Sequence, residues 1–276
     1  AAMTEEEKIF RGRIFNASAP ELLKIKHEAH TACQKYNALD EYDPSRAALL
    51  KNILGRIGTP FRFQGPLQFN YGKHTFIGNH FMANFNLLVM DDARIYIGNN
   101  VAFGPNVSLL ATNHPLLASE RLGISPDGQA TAFAEYAQEI HIDDNVWLAA
   151  NVTVLGGVHI GANAVIGAGS VVTKAVPANV IAFGNPCCVY REINEADMKY
   201  LQNTMDYKHG GISTAAGAAT VDLSYVGLQM SELQQMEAQT EAQMNAELNA
   251  TADAGTVDTA TCDSGSSAAA ASFNGS

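Results

Sequence analysis

Aliphatic residues return at every sixth position in the middle of the chain, in two parallel series. One series contains Ile140, Val146, Val152, Val158, Ala164, Ser170 and Val176, and the other contains Ile142, Leu148, Val154, Ile160, Ile166 and Val172. An amphipathic helix would place apolar residues three and four apart, and hairpin strands would not keep one phase across their turns. The period therefore predicts a β-solenoid that turns a corner in each hexad and points the aliphatic side chain inward.

The same phase is present earlier in the chain. Its members there are Ile95, Val101 and Val107 in one series and Ile97, Phe103 and Leu109 in the other, with a weaker trace at Ile77. Glycine follows the second series at Gly98, Gly104, Gly161 and Gly167. We expect these glycines to supply positive φ and close backbone approach at corners. Three hexads close one triangular coil, and the chain predicts a prism of about four to five coils. A flat sheet with accidental spacing is the alternative.

The first 60 residues have helical spacing instead of hexads. A capping box formed by Ser18 and Glu21 predicts the start of one helix. A second amphipathic helix is predicted from Arg46 to Ile57, after the Asp43-Pro44 turn. Residues 1–60 would then form a helical hairpin that covers one apolar end of the coil stack at 61–191.

The hexad phase is lost between Leu110 and Glu139. A segment of that length without period must leave the prism, so residues 110–139 are predicted to form an excursion loop. Long loops on rigid scaffolds frequently carry functional residues. Beyond the prism, the sequence INEADMKYL predicts a short helix within residues 192–205.

The acidity of the chain belongs to its end. The formal net charge is -11, and residues 206–276 contain nine acids and one base, which leaves 19 acids and 16 bases in residues 1–205. This segment is rich in Ala, Thr, Ser, Gln and Gly, so it is predicted to be a disordered tail, with a helix against a partner as the alternative. The acidic balance and the lack of a basic stripe argue against a nucleic-acid partner.

Two further features of composition bound the class of protein. No run of eighteen apolar residues is present and the first residues are acidic, so we expect a cytoplasmic protein without membrane association. The cysteines, Cys33, Cys187, Cys188 and Cys262, lack metal-site spacing, and reduced thiols are expected.

His114 is the strongest candidate for chemistry, because Asn113-His114-Pro115 stands at the base of the excursion loop. A neutral imidazole can accept a hydroxyl proton at cellular pH. Seven other histidines are present, and a structural histidine is the alternative at each position.

A second cluster consists of Asn84-Phe85-Asn86 and Asp91-Asp92. The Asn84 amide is a suitable donor to a developing oxyanion, and paired aspartates can bind a metal or sugar hydroxyls. An ordinary turn explains the same residues. Dinucleotide, Walker, zincin and nucleophile-elbow motifs are absent from the sequence.

Longer stretches resemble a known family. They are GRIFNAS, PFRFQGPLQFNYGKHTFIG, ANFNLLVMDDARIYIGNNVAFGPNVSL, NHPL, NVWLAANVTVLGGVHIGANAVIGAGSVVTK and GNPCCVYREI. With these motifs, residues 3–201 resemble the maltose and galactoside O-acetyltransferases, which are hexapeptide-repeat acyltransferases. The resemblance implies a mainly β fold, a left-handed parallel β-helix with a helical cap.

The resemblance also implies a reaction. Acetyl-CoA would donate its acetyl group directly to a sugar hydroxyl, without an acyl-enzyme or a metal, in a homotrimer whose sites lie between neighbouring prisms. His114 falls on the family's general base, and Asn84 falls on the residue thought to stabilise the tetrahedral intermediate.

Substrate contacts follow from the same resemblance. Asp92 matches a sugar-binding aspartate, Asn70 and Met82 replace the Ser and Tyr of galactoside enzymes, and Ala17, or Asn16, replaces an aspartate. The positions that match coenzyme A contacts along the prism edge are Ala150, Ala168, Thr173, Lys174 and Arg191. Cys188 replaces a family arginine.

Two other functions fit the same repeat. A carbonic anhydrase of the γ class shares the coil but needs several converging histidines, of which only His114 has a suitable context. A scaffold or regulatory protein that has lost activity is the second alternative, and the retained Asn84, Asp92, His114 and Lys174 argue against it.

Overall fold

The computed structural model describes residues 3–124 and 130–198. The predicted tail, with Cys262, and residues 199–205 of the predicted helix at 192–205 lie outside the described residues. Within the described part that helix is a single 3₁₀ turn, Glu195–Asp197. From Arg56 to Phe183 the chain winds as a parallel β-solenoid with three sheet faces, here called faces I, II and III.

The strands recur in the order I, II, III in each coil. Face I contains Arg56–Ile57, Thr75–Ile77, Ile95–Ile97, Ile140–Ile142 and His159–Ile160. Face II contains Phe61–Phe63, Phe81–Ala83, Ala102–Phe103, Trp147–Leu148, Val165–Ile166 and Val180–Phe183, with Cys188–Glu192 added antiparallel. Face III contains Leu67–Phe69, Leu87–Met90, Ser108–Leu110, Thr153–Leu155 and Val171–Val172. Five complete coils and part of a sixth result, slightly more than the sequence predicts.

The core of the prism is made by the hexad residues. None of the thirteen positions from Ile140 to Val176 in the two series is more than 6 % exposed. The earlier members, from Ile95 to Leu109, are at most 3 % exposed. The predicted inward direction of every hexad side chain is therefore confirmed.

The corner between faces III and I is enlarged in the first coils. Strand partners there are 20 residues apart, as Phe69 and Val89 are, whereas later partners such as Thr153 and Val171 are 18 apart. The two additional residues per coil fall between Phe69 and Thr75 and between Val89 and Ile95, because the other corners keep the regular spacing. We call this corner the III/I edge; it contains Asp91 and Asp92.

Asparagine supplies most of the positive φ at the corners, and Gly157, Gly169 and Gly184 supply it at three others. Gly98 and Gly104 do not have positive φ, so that part of the prediction is wrong. Their lack of a side chain serves close approach instead, since a Cβ on Gly104 would lie 2.7 Å from the backbone nitrogen of Ala150. The described residues other than glycine that have positive φ are Asn86, Asn100, Asn106, Asn145, Asn151, Asn163 and Asn179, together with His80. Asparagine tolerates this region better than other residues with a side chain.

The asparagines form two hydrogen-bonded columns along the prism. Asn86 donates to Asn106 at 2.9 Å, and Asn106 donates to Asn151 at 2.9 Å. A second column joins Asn100, Asn145, Asn163 and Asn179. Each amide thus satisfies its neighbour one coil away, which fixes the register of successive coils.

Three helices precede the prism: Glu5–Phe10, Pro20–Ala38 and Ser45–Ile53, here α1, α2 and α3. α1 was not predicted, although Thr4 and Glu7 form the capping box that starts it. The predicted Ser18 cap is wrong: α2 begins at Pro20, whose fixed φ suits a first helical turn. α3 ends at Ile53 instead of the predicted Ile57, because Arg56 and Ile57 pair with Phe76 and Ile77.

The helices cover the first coil. Asn37 of α2 donates to the carbonyl of Leu67 and accepts from its N–H, both at 2.8 Å, so its amide replaces a neighbouring strand. The Tyr36 hydroxyl donates to the carbonyl of Phe63 at 2.8 Å. The open end of the solenoid is thereby closed to further pairing.

The excursion leaves the prism after Leu110 and returns at Ile140. Its base is a two-stranded antiparallel ribbon of Thr112–Asn113 with Tyr136–Ala137. Beyond the ribbon lie a short helix, Ala118–Arg121, and a second ribbon of Leu122–Ile124 with Ala130–Phe133.

Candidate active site

The predicted site residues lie on two different edges of the prism. Asn84 precedes the face III strand Leu87–Met90 and lies at the edge between faces II and III, the II/III edge, whereas Asp92 follows that strand. A strand of four residues spans roughly 13 Å. One chain therefore keeps Asn84 and Asp92 apart across a full face.

The other predicted residues divide between the same two edges. Ala150 and Ala168 follow face II strands and share the II/III edge with Asn84, while Thr173 and Lys174 follow a face III strand and lie on the III/I edge. The predicted coenzyme A positions Ala150, Ala168, Thr173 and Lys174 therefore fall on two edges of one prism and not along a single edge. Asn70 and His114 also lie on the III/I edge, since they follow the face III strands Leu67–Phe69 and Ser108–Leu110.

His114 is held at the base of the excursion by its Nδ1 atom. Nδ1 lies 2.9 Å from the carbonyl oxygen of Ala134, so this nitrogen must carry the proton to make the hydrogen bond. In the neutral ring the Nε2 lone pair is then left free, which is the arrangement that a general base requires. The Phe133 ring meets the imidazole edge to face, with centroids 6.1 Å apart.

Arg121 holds both the backbone that follows His114 and the strand that accepts the His114 proton. Its Nη1 atom donates to the carbonyls of Pro115 and Leu116 at 3.0 and 2.9 Å. Its own carbonyl accepts from the N–H of Ala134 at 2.7 Å. The acceptor of the His114 proton and the segment that carries His114 are therefore tied to a single residue.

Asp92 is the centre of a buried polar chain. It is completely buried and accepts from both Asn70 Nδ2, at 3.1 and 3.3 Å, and the Thr112 hydroxyl. Asn70 in turn lies 3.2 Å from the Nε2 atom of His30, which belongs to α2. These hydrogen bonds join the helical cap to the strand that leads to His114.

Beneath Asp92, a second buried group supports the corner. Asp91 accepts from the Tyr71 N–H at 2.7 Å and the Thr75 hydroxyl at 2.8 Å, and burial raises the pKa of its carboxyl. His74 Nδ1 lies 2.9 Å from the carbonyls of both Asp91 and Asp92, and its Nε2 lies 3.1 Å from Glu6 of α1. α1 is thus anchored to the III/I edge.

Glu135 is a titratable group on the same edge. Burial and then the Asp92 charge raise the pKa of its carboxyl, while Lys26 and His114 act in the opposite direction. Lys26 of α2 lies 5.1 Å above the ring of Tyr71, whose buried hydroxyl has no hydrogen-bond partner among the described residues. Charged groups from the cap and the excursion therefore converge beside His114.

On the II/III edge, Asn84 has a defined orientation. Its Oδ1 accepts from the N–H of Phe85 at 2.7 Å, which leaves both Nδ2 hydrogens available as donors. The side chain is partly exposed. A partly exposed amide with donor hydrogens suits the predicted function of stabilising negative charge.

The remaining predicted residues are more scattered. Met82 is 42 % exposed on face II. Ala17 lies near the excursion, because the N–H of Phe15 donates to the carbonyl of Glu135 at 3.1 Å. Arg191 forms a bidentate ion pair with Asp197 at 2.7 and 2.8 Å, which raises the pKa of its guanidinium. Cys188 is exposed, and its Sγ lies 3.6 Å from the carbonyl of Pro186.

The sequence prediction missed several residues of the III/I edge. They are His30, Tyr71, Thr112 and Glu135, which the fold brings beside Asn70, Asp92 and His114. The signal common to most of them is the break in hexad spacing after Phe69, Val89 and Leu109, which is visible in the amino-acid sequence. His30 has no such signal, because only the docking of α2 brings it to this edge.

Neither a metal cluster nor a membrane-spanning helix occurs among the described residues. Within residues 3–124 and 130–198, no group of three or more His, Cys, Asp or Glu side chains is arranged to hold a metal ion. None of the helices in that part of the chain has the length and apolar character needed to cross a membrane.

Comparison with known proteins finds similar family models and similar chains. A family model described as maltose acetyltransferase hexapeptide capping motif matches residues 8–58, and one described as bacterial transferase hexapeptide matches residues 139–174. A galactoside O-acetyltransferase of Lactococcus lactis is 39 % identical over 206 residues, covering 74 % of this chain and 92 % of that protein. The galactoside O-acetyltransferase of Escherichia coli is 37 % identical, covering 75 % and 97 %.

Solved structures give the same picture. A galactoside acetyltransferase in complex with coenzyme A superimposes with a TM-score of 0.66 at 37 % identity, covering 75 % of this chain and 98 % of that one. A maltose O-acetyltransferase from Clostridium difficile has a TM-score of 0.64 at 35 % identity, covering 71 % and 100 %. A hexapeptide-repeat acetyltransferase from Vibrio cholerae, complexed with acetyl coenzyme A, has a TM-score of 0.61 at 30 % identity, covering 70 % and 100 %.

Proposed function

The chain belongs to the maltose and galactoside O-acetyltransferase family, and we propose that it transfers acetyl from acetyl-CoA to a hydroxyl of a sugar such as maltose, glucose or a galactoside. The observation that carries the proposal is the His114 Nδ1 contact with the Ala134 carbonyl, which leaves Nε2 free. Relatives that were solved with coenzyme A or acetyl coenzyme A support the donor.

The reaction requires one proton transfer in each direction. His114 Nε2 takes the proton of the sugar hydroxyl while the oxygen attacks the thioester carbonyl carbon. The resulting tetrahedral oxyanion accepts hydrogen bonds from Asn84 Nδ2. As the intermediate collapses, the carbon–sulfur bond breaks and the imidazolium returns its proton to the departing sulfur. The products are an O-acetyl sugar and free coenzyme A.

This assignment requires two chains at each site. His114 and Asn84 lie on different edges of one prism, so a single chain cannot bring both to the same carbonyl carbon. In a homotrimer, the III/I edge of one prism can face the II/III edge of its neighbour around the threefold axis. We therefore place one active site between each pair of neighbouring prisms.

The two edges also divide the substrates. Ala150 and Ala168 leave room along the II/III edge for the pantetheine arm, and Lys174 of the facing chain and Arg191 supply cations for its phosphates. The acceptor sugar lies on the III/I edge, over the hydrogen-bonded residues centred on Asp92. Asn70 and Ala17 of this chain, and Met82 from face II of the facing chain, are the positions that set its identity.

A thiol-release assay tests the function. Purified full-length protein is mixed with acetyl-CoA and a panel containing glucose, maltose, galactosides and a sugar-free blank, and free coenzyme A is followed. Sugar-dependent release with a mass increase of one acetyl group on the sugar is expected. Release at the blank rate with every sugar would leave a scaffold or regulatory protein as the better explanation.

A further inference from the structure

The two acceptor-side positions that the family resemblance marks most directly are closed to solvent. Asp92 is fully buried and Asn70 is 8 % exposed. Both oxygens of Asp92 already accept hydrogen bonds, and both ends of the Asn70 amide are occupied. A sugar that arrives at the III/I edge meets other side chains before it meets these two.

The hydrogen bonds that run from Asp92 through Asn70 to His30 have a fixed direction. The Asp92 carboxylate can only accept, so Asn70 must turn its Nδ2 toward Asp92 and its Oδ1 toward His30. Because Oδ1 is itself an acceptor, His30 Nε2 must carry a proton. In the neutral ring, the lone pair then lies on His30 Nδ1.

His30 has the exposure that Asn70 and Asp92 lack. It is partly buried on α2, and among the described residues its ring has no hydrogen bond other than the one to Asn70. Lys26, one helical turn earlier on the same face of α2, lies over Tyr71 of the III/I edge. α2 therefore presents a polar stripe directly above this edge.

We propose that His30 is an acceptor-binding residue, whose Nδ1 accepts a hydrogen bond from a sugar hydroxyl remote from the one that reacts. The inference rests on the proposed function. Asn70 and Thr112 belong to the two coils on either side of the coil that carries Asp92. The backbone at Asn70 is therefore about two coil spacings, roughly 10 Å, from the strand that leads to His114. His30 and His114 therefore contact opposite ends of the acceptor.

The test compares His30→Gln with His27→Gln in the full-length protein. Glutamine places an amide N–H near the position of Nε2 and so retains a donor to Asn70, but it offers nothing in place of Nδ1. His27 is exposed on the same helix and serves as the matched control. The measurements are KM for the best sugar of the panel, KM for acetyl-CoA, kcat and the midpoint of thermal unfolding.

We expect His30→Gln to raise KM for the sugar about fivefold to tenfold, the effect of one lost hydrogen bond, with KM for acetyl-CoA and the unfolding midpoint unchanged. An unchanged sugar KM in His30→Gln, in an active enzyme, overturns the inference and leaves His30 a structural partner of Asn70. A wild-type protein that acetylates no sugar overturns the proposed function and, with it, this assignment.

Discussion

Asn84 and Asp92 lie at opposite ends of the same face III strand, so the residues that surround each of them belong to different edges of the prism. Asn84 shares its edge with Ala150 and Ala168, and Asp92 shares its edge with Asn70 and His114. This separation is the strongest structural argument for a site that is completed by a second chain.

Mixed trimers should therefore recover activity from two inactive variants. His114→Ala and Asn84→Ala each disable every site in a pure trimer. When the two chains are co-expressed in equal amounts, a site that takes His114 from one chain and Asn84 from its neighbour is intact in about one quarter of cases. We expect thiol release at about that fraction of the wild-type rate. Recovery no greater than the sum of the two pure variants would place both residues in one chain's site.

His114→Ala by itself should lower kcat by about 100-fold or more, because loss of a general base typically costs this much. KM for acetyl-CoA should change little, since the group that we propose as the partner of His114 is the acceptor hydroxyl. Steady-state thiol release measures both constants. His159→Gln is the control, because His159 lies on face I, where its Nε2 is 2.9 Å from Asp143. A His114→Ala enzyme that retains more than about a tenth of the wild-type rate would contradict the assignment.

Glu135 should make the protein less stable as the pH rises. Burial raises its pKa above the ordinary value of 4.5, so the folded state binds this proton more tightly than the unfolded state does. Its contribution is therefore fully present below the unfolded pKa and is lost as the pH rises through the folded pKa.

Glu135→Gln removes this titration. We therefore expect the unfolding temperature of the variant minus that of the wild type to be larger near pH 7 than near pH 4. Thermal denaturation of both proteins at the two pH values measures this difference. The same difference between the two proteins at both pH values would show that Glu135 has no raised pKa.

Gly169→Asn should stabilise the prism. Gly169 has a φ of +75° and lies one coil beyond Asn151 in the column that begins at Asn86, and a Cβ added there meets nothing within 4 Å. Asparagine tolerates this φ, restricts the unfolded chain and extends the column by one amide. We expect the free energy of unfolding to rise by about 0.5–1 kcal/mol.

Urea unfolding measures this effect, and Gly104→Ala provides the contrast. A Cβ at Gly104 would meet the backbone of Ala149 and Ala150 at 2.8 and 2.7 Å, so this variant should lose about 1–3 kcal/mol. A destabilised Gly169→Asn would contradict the view that the corners select asparagine for its conformation and its side-chain amide.

Cys188→Arg should strengthen donor binding. The thiol is exposed and lies close along the chain to Arg191, and a guanidinium there would add a charge-assisted contact to a phosphate. We expect KM for acetyl-CoA to fall about threefold to tenfold, with KM for the sugar unchanged. Cys188→Ser, which changes the thiol without adding charge, is the control. An identical KM for acetyl-CoA in the two variants would remove Cys188 from the donor site.

The regular part of the fold could be predicted because one local rule repeats. Ile140 and its successors all point inward, since each coil must bury the same position, and this rule needs no knowledge of distant contacts. The corners could not be predicted in the same way. Sequence reasoning gave Gly98 and Gly104 the positive φ that belongs to Asn100 and Asn106, because glycine is the more familiar residue at such angles.

The candidate site was only partly predictable for a related reason. His114 and Asp92 are marked by local breaks in the repeat and by family motifs. His30 and Glu135 come to the same edge through the docking of α2 and the return of the excursion, which are long-range events. The division of the site between two edges is likewise a property of the winding, since the residues before and after one strand lie at different corners of the prism.

The asparagine columns continue across the excursion without a change of partner. Asn100 pairs with Asn145 and Asn106 with Asn151, each 45 residues further on, although the other contacts in these columns span 16 to 20 residues. Each of these hydrogen bonds therefore joins asparagines of adjacent coils, whatever the number of residues between them. Evolution can lengthen, shorten or rewrite the excursion while the scaffold on either side keeps its alignment, so this segment can diverge among relatives at little cost to folding.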